Sequence, residues 1–109
     1  MEKLIRDGKV AVLVSRGFGA GWSTWNHEYP DMVFDPFIAT IVAASTEDSW
    51  EQDVSKITAY CALRYPDAYL GGLADLVVQW VPQGEQFRIE DYDGSETVRL
   101  VSQTEWITA

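Results

Sequence analysis

No feature restricts the fold of this chain more than the unbroken apolar run Val10-Ala11-Val12-Leu13-Val14. It is too short to make a helix and rich in β-branched side chains, and Asp7-Gly8 precedes it while a glycine-rich loop follows. A segment of that kind reads as a buried strand. With 109 residues, the chain can bury one core but would leave each of two domains too little interior, so a single domain over 1–109 is expected.

The rest of the chain alternates helix and strand signals. Met32-Val33-Phe34 reads as a short strand or an apolar anchor. Asp35-Pro36 then places a capping residue before a proline suited to the first helical position, opening a short helix from Phe37 to Ala44. Ser49-Trp50-Glu51-Gln52 matches a capping box, and Trp50, Val54, Ile57 and Cys61 follow at helical spacing. This longer helix should stop near Tyr65, because Pro66 lacks the backbone donor the next turn needs. After Gly71-Gly72, the segments 75–81, 86–90 and 97–101 read as strands, with Pro82-Gln83-Gly84 and the hairpin signal Asp93-Gly94 between them. The predicted product is an α+β fold: a small, mostly antiparallel sheet of about four strands, its C-terminal third a three-stranded meander, packed by one long and one short helix. The edges of such a sheet leave room for a homo-oligomer.

Charge limits the partners. The formal net charge is −9, yet residues 1–30 hold four basic groups against three acids, and the remainder holds four against fourteen. An acidic surface of this kind disfavours direct nucleic-acid binding and suits a basic protein partner or nucleic-acid mimicry. An anionic small ligand has a place only near the N-terminal third. No apolar run approaches the roughly 18 residues of a membrane span, and the first residues lack the apolar core of a leader. The chain is therefore expected in the cytoplasm, with no membrane partner. The lone Cys61 excludes an internal disulfide, and with the lone His27 it argues against a zinc site. Neither metal nor cofactor is expected.

The loop Arg16-Gly17-Phe18-Gly19-Ala20-Gly21-Trp22-Ser23-Thr24-Trp25 directly follows the first strand. Phosphate-binding loops lie in such places, since glycine lets backbone N–H groups approach an anion. Neither standard fingerprint is present: Trp22 stands where a dinucleotide loop has its third glycine, and the Gly-Lys-Ser/Thr ending of a Walker loop is missing. The composition still suits a nucleotide-derived ligand. Arg16 would pair with phosphate, supported by the N–H groups of Gly17, Gly19 and Gly21. Ser23 and Thr24 would donate hydroxyls, and Phe18, Trp22 or Trp25 would stack on a base. The plainer alternative is a bend whose aromatics fill the core or a subunit contact.

Three weaker constellations complete the survey. Ser23 and His27 could form a nucleophile and base, but no nucleophile elbow surrounds the serine, and a hydrolase is the least favoured reading. Cys61 belongs to the apolar stripe of the long helix. Glu90, Asp91, Asp93 and Glu96 crowd one tight turn; they do not match a calcium loop, and their better use is contact with a basic partner.

The string Val10 to Val14 running into Gly17-Phe18-Gly19-Ala20-Gly21-Trp22-Ser23-Thr24-Trp25-Asn26, with Trp80-Val81-Pro82, Phe87-Arg88-Ile89-Glu90 and Tyr92-Asp93-Gly94-Ser95-Glu96, resembles a family of small uncharacterised bacteriophage proteins. No activity carries over from that family. The resemblance implies a non-catalytic counter-defence factor in host cytoplasm. Such a factor would sequester a nucleotide-derived signal through the glycine-aromatic loop, or block a host protein through its acidic surface.

Overall fold

The computed structural model describes residues 2–19 and 21–101. The strands are β1 (Ile5–Arg6), β2 (Lys9–Ser15), β3 (Leu76–Pro82), β4 (Phe87–Tyr92) and β5 (Ser95–Leu100), and the helices are α1 (Pro36–Ala44) and α2 (Trp50–Arg64). One antiparallel sheet has the order β1-β2-β3; β4 and β5 form a separate antiparallel pair. The α+β class is as expected, but the single sheet and the C-terminal meander are not.

The reason lies in β2. Its register with β3 runs unbroken from Lys9 opposite Pro82 to Ser15 opposite Leu76. Successive side chains of a strand point to opposite faces. Ala11 and Leu13 accordingly join Trp22, Met32, Ile38, Ile57, Cys61 and Leu76 in a core beneath the helices. Val12 and Val14, with Val81, meet Phe34, Phe87, Ile89, Val98 and Leu100 on the other side. The continuous apolar run is thus the middle layer of three. Pro82-Gln83-Gly84 does turn the chain, with Gly84 at φ 88°, but β4 then crosses to the second face of the sheet instead of extending its edge. Covering Val12 and Val14 removes apolar surface from water on both partners, which a longer ladder would not do.

Both Asp-Gly pairs make hairpin turns. Asp7 and Gly8 have φ of 51° and 76°, and Asp93 and Gly94 have 50° and 86°, the positive values that connections of this kind demand. Across the second hairpin Arg88 faces Arg99, a repulsive pairing relieved by Glu90, which accepts from both at 2.9 and 3.0 Å. The bonds to Arg99 and Arg88 hold the Glu90 carboxyl below its ordinary range.

The helix boundaries follow the sequence, with one change of mechanism. Asp35 caps α1 by accepting from the N–H groups of Phe37 and Ile38 at 3.0 and 3.1 Å. The same buried carboxylate accepts the hydroxyls of Tyr60 at 2.8 Å and Tyr65 at 2.5 Å, joining the start of α1 to the end of α2. Burial, and then the bond to Asp35, pushes the Tyr60 phenol up to about 12 and raises that of Tyr65 in the same way. At the start of α2 the capping box does not form. The Ser49 hydroxyl instead donates to Asp53 at 2.7 Å, and Ser45, which ends α1, donates to the same carboxylate at 2.7 Å. Met32 anchors a short 3-10 turn, Pro30–Val33, and is completely buried. None of the helices among the described residues is long and apolar enough to cross a membrane.

Candidate functional site

The glycine-aromatic loop leaves the sheet beside the start of β3, where the Arg16 N–H donates to the Asp75 carbonyl at 3.2 Å. Two of its glycines serve close packing. A Cβ on Gly17 would overlap the Asp75 carboxylate, and one on Gly21 would overlap the Trp25 indole. Gly19, at φ 69°, directs its N–H to the Asp93 carbonyl. The loop thus lies against the β4–β5 turn, and the two candidate regions of the sequence form one surface.

Glu96 joins them. Its carboxylate is completely buried; one oxygen accepts from the Ser15 N–H at 2.9 Å. The other accepts from the Thr24 N–H at 3.0 Å and the Thr24 hydroxyl at 2.6 Å. A buried carboxylate needs such donors to offset its desolvation. Glu96 is therefore an internal clamp, and its expected role on a partner surface is corrected. Asp91 is also committed: its Oδ1 accepts from the Gly94 N–H at 2.6 Å and its Oδ2 from the Trp25 indole N–H at 2.7 Å. With Glu90 held between arginines, Asp93 is the acid of the four whose side chain stays exposed without a hydrogen bond among the described residues.

Trp22 requires a second correction. It has no accessible surface, lies in the helix-side core and donates its indole N–H to the Met32 carbonyl at 3.0 Å. A ring so placed cannot stack on a ligand. Phe18 and Trp25 remain at the surface, 70% and 40% exposed. Phe18 meets Tyr92 edge-on at 6.2 Å, and Trp25 lies 5.5 Å from Tyr69. Arg16 is exposed, its carbonyl accepts from the Ser95 hydroxyl at 3.1 Å, and its guanidinium enters no ion pair among the described residues.

Tyr69 and Asn26 complete the site, although the sequence reading singled out neither. Asn26, buried, donates to the carbonyls of Trp22 at 2.8 Å and Tyr69 at 2.9 Å and accepts the Tyr69 N–H at 2.7 Å. The Tyr69 hydroxyl reaches the Gly19 carbonyl at 3.2 Å. The turn after α2 is thereby fastened to the loop. Asn26 directly follows Trp25 and Tyr69 precedes Gly71-Gly72, but no periodicity links positions so far apart.

Ser23 and His27 line one recess, but no hydrogen bond joins them among the described residues. Cys61 is buried, which, ahead of the nearby Asp35 charge, pushes its thiol up to about 11. No group of three metal-ligating side chains is assembled among the described residues. Compared with known proteins, the chain matches no family model, no curated protein and no solved structure.

Proposed function

We propose that this chain is a non-catalytic binding protein whose joined loop and turn dock on a basic protein surface. The observation that carries the reading is the exposed face of the joined loop and turn, where aromatic rings stand among carboxylates. Of the three glycine N–H groups that would support a phosphate, that of Gly19 is spent on the Asp93 carbonyl, and the N–H groups of Ser15 and Thr24 are spent on Glu96. What faces outward is a set of rings, Phe18, Trp25, Tyr69 and Tyr92, among the carboxylates Asp75, Asp91 and Asp93. Aromatic anchors beside negative charge fit arginine and lysine side chains, through cation–π contact and ion pairing. In a bacteriophage protein, as the resemblance suggests, this would be a counter-defence factor that blocks a host protein.

Sequestration of a nucleotide-derived signal is the second reading. Exposed Arg16 beside Phe18 favours it; the surrounding carboxylates oppose it. Calorimetric titration separates the two. An arginine- and lysine-rich peptide should bind with an affinity that falls as salt rises, and both Asp93→Lys and Phe18→Ala should weaken it. Heat from cyclic dinucleotides or ADP-ribose, lost in Arg16→Ala, together with none from the basic peptide, would overturn the first reading in favour of the second.

A further inference from the structure

Beside the loop lies a recess of about 270 Å³, lined by Trp25, Asn26, His27, Glu28, Tyr29, Asp67 and Tyr69. We infer that this recess is an aromatic cage for one cationic side chain, the ammonium of a lysine or the guanidinium of an arginine. The inference rests on the proposed basic partner and names the group by which that partner is held.

Size comes first. Pockets for drug-sized ligands run from roughly 300 to 1,000 Å³, and a recess of about 270 Å³ lies just below them, with room for a side chain. Its walls are the second argument. Three aromatic residues, Trp25, Tyr29 and Tyr69, line the space together with two exposed acids, Glu28 and Asp67. Neither carboxylate forms an ion pair among the described residues. Aromatic rings with their negative faces toward a cation, backed by carboxylates, are the means by which ammonium groups are recognised. No lysine or arginine lines the recess; His27 is the one lining residue able to carry positive charge.

The third argument is preorganisation. Each ring has its polar end fixed elsewhere: the Trp25 indole N–H on Asp91 at 2.7 Å, and the Tyr69 hydroxyl on the Gly19 carbonyl at 3.2 Å. The Tyr29 hydroxyl accepts the Asp67 N–H at 3.4 Å, and its ring rests edge-on against buried Tyr65 at 5.2 Å. Asn26, through its bonds to the Tyr69 backbone, holds the Tyr69 ring against that of Trp25, 5.5 Å away, so that the two form one continuous aromatic wall. Rings held in this way lose little freedom when a cation enters, which is where such sites otherwise forfeit affinity.

The test uses the full chain with two small probes, Nα-acetyl-lysine methylamide and Nα-acetyl-arginine methylamide, followed by the Trp25 indole N–H resonance. Saturable shifts at Trp25 are expected, with no response to Nα-acetyl-norleucine methylamide, which keeps the lysine side chain's four carbons and lacks its ammonium. Trp25→Ala should weaken binding of a lysine- and arginine-rich peptide by about five-fold or more. Glu28→Gln with Asp67→Asn, which leaves the rings in place, should weaken it in the same direction. If norleucine and lysine probes act alike, or if the peptide binds equally to wild type and to both variants, the cage is wrong while the basic-partner reading stands. If the lysine probe titrates Trp25 and the peptide does not bind, the cage stands and the proposed function fails.

Discussion

Replacing Glu96 with alanine tests the clamp on which the site depends. The variant leaves the Ser15 and Thr24 N–H groups without their acceptor, in a place where the carboxylate had no accessible surface. A buried donor left unpaired costs about 1–3 kcal/mol, so two cost about 2–6. Against this stands relief from burying a charge, a penalty that the three bonds now offset. A net loss of about 3 kcal/mol is expected, a large part of the roughly 5–15 kcal/mol by which domains are stable. With a urea slope of about 1–2 kcal/mol per molar, the unfolding midpoint should fall by about 1.5–3 M. Glu96→Gln keeps one acceptor oxygen but turns an N–H₂ toward one of the donors, and should lie between the two. Amide hydrogen exchange localises the effect: Ser15, Thr24 and Gly19 should lose protection together. A loss below about 1 kcal/mol, or unchanged exchange at Ser15 and Thr24, would refute the clamp.

Other outcomes follow from the same contacts. The bonds from Ser45 and Ser49 hold the Asp53 carboxyl below its ordinary 3.8, so its contribution is complete above that pH and lost as the pH falls through the lower folded value. Asp53→Asn should therefore be less stable than wild type at neutral pH, and the two should converge in urea titrations carried out below pH 3.8. Gly21→Ala forces the Trp25 indole off its seat; a red-shifted tryptophan emission and loss of the Trp25 indole N–H bond to Asp91, seen by NMR, are expected. Tyr65→Phe removes the 2.5 Å bond to Asp35 and should cost about 1.5–3 kcal/mol in chemical denaturation, without altering binding of a basic peptide.

Local chemistry was legible in the sequence where neighbours along the chain decide the outcome. Asp35-Pro36 starts a helix because its cap bonds lie two and three residues ahead, and Asp93-Gly94 turns because the positive φ is a property of those two residues. The stripe of Ile57 and Cys61 faces the core as its spacing requires. What depended on distant partners was not legible. Glu96 looked like one more solvated acid in an acidic turn, and only its approach to Ser15 and Thr24 reveals a buried acceptor. Trp22 looked free to stack because it stands among glycines, yet the Met32 carbonyl and the helix-side core claim it. The meander failed for a related reason. Periodicity shows which face of β4 is apolar, and the unbroken run of β2 that both its faces need covering, but not that β4 and β5 are the strands that cover Val12 and Val14.

The clamp also sets an order of events during synthesis. Ser15 and its acceptor are separated by 81 residues, and a contact so distant in the chain has to await both the closure of a long loop and the arrival of its partner. At about 5–20 residues per second, the loop leaves the ribosome seconds before Glu96 does. Throughout that interval the helices, the hairpin at Asp7-Gly8 and the loop itself are already available, but the binding face is not. A nascent chain stalled before β5 would carry every loop residue of the proposed site but lack the clamp that ties the loop to Ser15.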